Sequence, residues 1–209
     1  VEYAKIVKNK QYTENLCREF DSFFSILTKG RLKKQLRKKA LPHRLQNASS
    51  MISLLTDFYE LSGDQKYLEY ANDMAQWLMK LQSKTDGSYR SHKTHYTCVI
   101  YPAKSMLELS VAEKNAGLTE RSRQHFQSAK RAVLNLYELM DNIQTEGEMT
   151  FEDGMISCES LQMAYLALLT DDEEEKQKLT QAAEIILSKH KCLEQQFLPD
   201  CRTRGCTLR

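Results

Sequence analysis

The stretch TERSRQHFQSAKRAVLNLYELMDNI, residues 119–143, decides the fold class. Its apolar side chains Phe126, Ala129, Val133, Leu136, Met140 and Ile143 recur at steps of three and four. A helix with 3.6 residues per turn places such a set along one stripe, whereas a half-buried strand needs strict alternation. Just upstream, Asn115-Ala116-Gly117-Leu118-Thr119 reads as a tight connection. Gly117 suits the left-handed residue that ends one helix, and Thr119 suits the cap that starts the next.

The same pattern extends in both directions. Tyr67, Ala71, Met74, Leu78 and Leu81 form a stripe in 64–83, and Ala48, Met51, Leu55 and Phe58 form one in 46–61. A further apolar segment covers 97–114. Leu161, Ala164 and Leu168 mark 157–170, and Leu179, Ala182 and Ile186 mark 173–190. The first 28 residues read as one more helix, and 31–40 as a short basic one. No stretch alternates like a strand. Ser62-Gly63-Asp64 and Thr170-Asp171-Asp172 are short connections, so the pattern predicts three hairpins at 46–83, 97–143 and 157–190. Longer segments separate or follow them at 84–96, 144–156 and 191–209. In a row of antiparallel helices the three short turns would share one end and the three long segments the other. Elaborated ends usually carry the site.

Composition agrees with this all-α reading. Among 209 residues there are only 7 Gly and 3 Pro, too few for a turn-rich β fold. Hydrophobic residues at 41% and charged residues at 28% are a globular balance. A formal charge of +2 gives no ground for a nucleic-acid partner, and the lack of an apolar run of about 18 residues gives none for a membrane span. No cofactor is expected. The six cysteines show no zinc-type spacing, so no metal site is expected either. Cys17, Cys98 and Cys158 fall within apolar helical patterns and suit buried thiols. The run Lys29–Lys39 reads as a solvated basic helix without interleaved aromatics. Asn47-Ala48-Ser49 matches a glycosylation triplet but falls inside a helical stripe.

Two of the long segments open with related residues: Trp77-Leu78-Met79-Lys80-Leu81-Gln82 followed by Asp86-Gly87-Ser88-Tyr89, and Phe151-Glu152-Asp153-Gly154. The first resembles the repeat of α/α toroid proteins. The segment FEDGMISCESLQ, residues 151–162, resembles the acidic loop and following helix of six-hairpin carbohydrate enzymes. The resemblance spans about 46–190. It implies antiparallel α-hairpins arranged as part of an (α/α) toroid, a single domain over 1–209 with an N-terminal helical segment at 1–44. A full toroid has six hairpins and this chain supplies three. A second subunit, or further helices beyond Arg209, are therefore expected to complete it.

The resemblance further implies hydrolysis or elimination at a glycosidic bond of an oligosaccharide or polysaccharide. A glycosidase needs one carboxyl group as general acid and another as base or nucleophile; a lyase needs a Tyr or His to move the proton. The expected catalytic residues are Asp153 and Glu152, then Asp86 as carboxyl partner, with His95 and Tyr96 positioning substrate or carrying the proton in a lyase. Tyr89, Arg90, His92, Arg202 and Arg204 are the expected substrate-binding residues. Several of these have plainer readings: Asp86 before Gly87 and Asp153 before Gly154 are turn signals, His92 and His95 suit a solvated loop, and Tyr89, like Trp77, suits hairpin packing. The alternative function is a non-catalytic helical-repeat module that binds a glycan or a protein.

Overall fold

The structure, a computed structural model, describes residues 1–28, 41–89, 97–139 and 157–190. All regular structure among them is α-helical: α1 Glu2–Val7, α2 Lys10–Thr28, α3 Leu41–Ser62, α4 Lys66–Leu81, α5 Thr97–Asn115, α6 Thr119–Leu139, α7 Ser157–Leu169 and α8 Glu173–His190. The three hairpins are α3–α4, α5–α6 and α7–α8, with bounds close to those that the stripes predict.

The N-terminal segment is two helices rather than one. Lys8 takes a left-handed conformation at φ 51°, and its N–H bonds the Ala4 carbonyl to close α1. The Asn9 side chain then accepts the Tyr12 N–H at 2.9 Å and caps α2. Apolar spacing passes through this break because it does not register a polar side chain that competes for the backbone.

The central helix is α5. It packs against α3, α4, α6 and α7, and buries Ala103, Met106, Leu107, Leu109 and Ala112. So many sides are covered that its apolar residues do not form a single stripe. The turn after α5 has two reinforcing bonds. Gly117 N–H bonds the Lys114 carbonyl at 3.1 Å, and Leu118 N–H bonds the Glu113 carbonyl at 2.8 Å, with Gly117 at φ +79°. This is the Schellman arrangement. The Leu118 carbonyl also accepts the first helical bond of α6, from Ser122 N–H at 3.0 Å, so α6 begins one residue earlier than a Thr119 cap implies.

The N-terminal α2 docks on the first hairpin through aromatic contacts. Phe20 stacks on Phe58 with centroids 4.1 Å apart, and Phe24 meets Tyr70 at 4.6 Å. Asp21 adds a polar clamp, accepting from Lys66 at 2.7 Å and from the Tyr67 hydroxyl at 3.1 Å.

Two expectations fail at the third hairpin. The stripe Leu161, Ala164, Leu168 is not the core face of α7: Leu168 is 78% exposed, whereas Met163, Leu166 and Ala167 are buried together with Gln162. Nor do all three short turns share one end. Arg121 ties the first two together, donating to Glu113 and to Glu69 and the Leu68 carbonyl of α4. The third turn lies elsewhere. Glu175, at the start of α8, pairs with Lys130 at 2.7 Å. Lys130 is eleven residues into α6, roughly 16 Å along its axis. The α7–α8 hairpin is thus displaced along α6 rather than repeated in register.

Candidate functional site

Of the ten expected site residues, Asp86 and Tyr89 are described; Arg90, His92, His95, Tyr96, Glu152, Asp153, Arg202 and Arg204 lie outside the described residues. Asp86 and Tyr89 both belong to a chain segment folded tightly onto α6. Ser83 N–H bonds the Ser88 carbonyl at 2.7 Å, closing the loop on itself. The Asp86 carboxylate accepts from the Ser88 N–H at 2.9 Å and the Ser88 hydroxyl at 2.7 Å. These bonds, the hydroxyl first, hold its pKa below the ordinary carboxylate value.

The anchor of this segment is Gln82. Its amide donates to the Gly87 and Ser128 carbonyls, both at 2.7 Å, and accepts from the Ser128 hydroxyl at 2.8 Å. With the Ser128 hydrogen committed to Gln82, Tyr89 must be the donor in its 2.8 Å bond to Ser128 Oγ. The Tyr89 ring is fully buried, and burial pushes its pKa up. Gly87 approaches α6 so closely that a Cβ built on it would lie 2.7 Å from the Arg131 carbonyl oxygen. Asp86 and Tyr89 are therefore not brought together over a cleft. The carboxylate shapes a turn and the phenol locks that turn to α6. Trp77 likewise packs against the core.

The carboxylates that do converge come from helices rather than loops. Between α3, α5 and α7 lies a cavity of about 210 Å³ lined by Ser53, Thr56, Asp57, Glu60, Glu108, Val111 and Tyr165. The i, i+3, i+4 and i+7 spacing of Ser53, Thr56, Asp57 and Glu60 puts them on one face of α3. Ser53 donates to Glu108 across the gap to α5, and Lys104 pairs with Glu108 at 3.0 Å. Asp57 and Glu60 each accept from the Lys5 ammonium at 2.7 Å. Tyr165 projects from α7. Its pKa is pushed up to about 12, by burial first and then by the negative charges of Glu108 and Glu60. Such a surface offers many hydrogen-bond acceptors and an undissociated phenol.

A second polar group lies deeper. Glu113 and His125 are fully buried, 2.6 Å apart through Nδ1, and Arg121 donates to the same carboxylate at 2.9 Å. Burial works against the Arg121 charge, but its bond to Glu69 and the charge of Glu113 overcome that and raise its pKa. His125 Nε2 has no partner among the described residues. This group braces the α5–α6 turn. A larger depression of about 320 Å³ between α6 and α8 is lined by Leu134, Tyr137 and Leu179, with Asp172, Glu174, Glu175 and Lys178. Its acids serve the helix: Asp172 accepts the Glu174 and Glu175 N–H groups, and Glu174 pairs with Lys178.

No protein-family model, curated protein or solved structure matches the chain. Among the described residues no group of His, Cys, Asp and Glu is placed to hold a metal ion, and no helix is long and apolar enough to cross a membrane.

The sequence pattern does not single out Asp57, Glu60, Glu108 or Tyr165, because single charges on a helix are ordinary and Tyr165 lies within an apolar run that packs against the core. The available signal is the i, i+3, i+4 and i+7 spacing of Ser53, Thr56, Asp57 and Glu60.

Proposed function

We propose that this chain is part of a carbohydrate-active enzyme of α-hairpin architecture, hydrolysing or eliminating a glycosidic bond. The observation that supports this most is the cavity between α3, α5 and α7, where three carboxylates, two hydroxyl side chains and Tyr165 line one polar hollow. Sugars present dense arrays of hydroxyl groups, and an acceptor-rich lining with an aromatic side chain suits them. Glycosidic cleavage asks for a carboxylic acid beside a carboxylate, or for a Tyr or His that moves a proton. In this reading Asp153 and Glu152 remain the first choices for the reacting acid and base, with His95 and Tyr96 as the proton carriers of a lyase. Asp86 takes a turn-forming role in this reading, because both Ser88 donors bind its Oδ1. Closure into an (α/α) toroid by further helices or a second copy belongs to the same proposal.

The test is a panel of neutral and uronic-acid glycans, read both by reducing-end release and by the absorbance of an unsaturated uronide. Turnover that vanishes in Asp153→Asn with the thermal midpoint almost unchanged supports the reading. Absence of turnover across the panel, with retained glycan binding, would leave the non-catalytic module instead. That second reading has one observation in its favour: the Tyr89 hydroxyl, an expected substrate contact, is buried and bonded to Ser128 inside the fold.

A further inference from the structure

Helix α1 is attached to the molecule in an unusual way. It is six residues long, and of its apolar side chains Tyr3 is 63% exposed, Ile6 78% and Val7 45%. Ala4 is buried and Val1 partly so. Beyond an edge contact of Tyr3 with Tyr12 of α2, ring centroids 5.7 Å apart, little apolar area holds it down. Its polar attachment is stronger. Lys5 reaches α3 and donates at 2.7 Å to both Asp57 and Glu60, which also line the cavity between α3, α5 and α7. Those two bonds overcome the burial that disfavours the ammonium and raise its pKa. On its other side α1 ends at Lys8, whose positive φ interrupts the helix, and Asn9 caps α2 independently. A break with its own cap on each side lets α1 move without unwinding α2.

We propose that α1 is a detachable latch at the cavity between α3, α5 and α7, held by Lys5 across Asp57 and Glu60. Its release frees Asp57 and Glu60, two of the cavity's three carboxylates, and loosens the hollow that they share with Tyr165. The ion pairs are partly exposed, with Lys5 at 26% and its partners at 34% and 47%, so salt weakens them. Segments with few apolar contacts and exposed polar attachments sit at the low-stability end of a structure, where moving elements are drawn from. The inference does not depend on which reaction, if any, the cavity serves.

The experiment combines hydrogen exchange and hydroxyl-radical footprinting on the full chain, with Lys5→Met and, as control, Lys10→Met, whose pairing with Glu14 is at the surface. In Lys5→Met, and in the unsubstituted chain at high salt, exchange at the amides of residues 5–8, the ones bonded within α1, is expected to quicken about threefold to tenfold while α2 keeps its protection. Radical labelling of Tyr165 is expected to rise in step, and Lys10→Met to change neither. Three results would overturn the latch: α1 amides already unprotected in the unsubstituted chain, Lys5→Met indistinguishable from Lys10→Met, or α1 loosened with Tyr165 labelling unchanged.

Discussion

The segment 82–89 and the cavity between α3, α5 and α7 use the same kinds of residue to opposite ends. Both contain Asp, Ser and Tyr. In the segment, Ser88 and Tyr89 are buried, and each named bond of Asp86, Ser83, Ser88 and Tyr89 joins the loop to itself or to α6. In the cavity, Asp57 and Ser53 on α3 and Tyr165 on α7 stand on regular helices and face a common hollow. A loop that must be held against a helix spends its polar groups on its own backbone. Helices satisfy their backbones internally, which frees their side chains to build a surface. Residue type alone therefore says little about whether an Asp or a Tyr is available to a ligand.

That contrast can be broken by substitutions that should hurt one region and spare the other. The largest effect is expected for Gly87→Ala. The residue sits at φ +72° and its new Cβ would overlap the Arg131 carbonyl, so both the backbone and the packing resist. A loss of about 3–4 kcal/mol, read by denaturant unfolding, is expected. A loss under about 1 kcal/mol would mean that the segment is not clamped to α6. Next comes Gln82→Ala, which strips partners from the Gly87 and Ser128 carbonyls and from the Ser128 hydroxyl. About 2–3 kcal/mol is expected. Tyr89→Phe removes one bond and leaves Ser128 still bonded to Gln82, so about 1 kcal/mol should be lost.

Asp86 sharpens the comparison through pH. Its folded pKa is depressed below the ordinary aspartate value, first by the Ser88 hydroxyl bond. The sign follows: its stabilising contribution is complete above the unfolded value and disappears as pH falls through the folded one. Asp86→Asn should therefore flatten part of the acid side of the stability curve below about pH 4 and leave the neutral region nearly alone. The carboxylate is largely solvated, so the change is small. An unaltered acid limb would show that the Ser88 bonds do not persist in solution.

The smallest effect is expected in the cavity. Glu60→Gln removes one partner of a half-exposed ion pair, and stability should change by no more than about 0.5 kcal/mol. If Glu60→Gln costs as much as Gln82→Ala, the cavity is a structural joint like the segment, and the division between the two regions fails.

Much of the helical frame was legible. The stripes in 46–83 and 119–139 and the Gly117 turn are local features, and Leu55, Phe58, Ala71, Leu78, Ala129 and Val133 are buried as their spacing implies. The site was less so. Asp86 before Gly87 reads first as a turn former and Tyr89 first as hairpin packing, with a ligand role as the alternative for each. Which reading holds depends on Ser128 and Arg131, about forty residues away in sequence. The buried Glu113–His125 contact left a fainter trace still, a charged residue and an imidazole on the two sides of one short turn.

The sequence by itself determined that the chain is helical, where its hairpins turn, and that Gly117 ends α5, because periodicity and turn chemistry act within a few residues. Tertiary structure alone decided that α7 buries Met163 and Leu166 in place of Leu168, and that the third hairpin slides along α6 to Lys130. It also decided that the gathered carboxylates would be Asp57, Glu60 and Glu108. A helix with apolar residues on more than one side can bury either. Only the shape of the neighbours it meets selects the face, and that shape is written in residues far away along the chain.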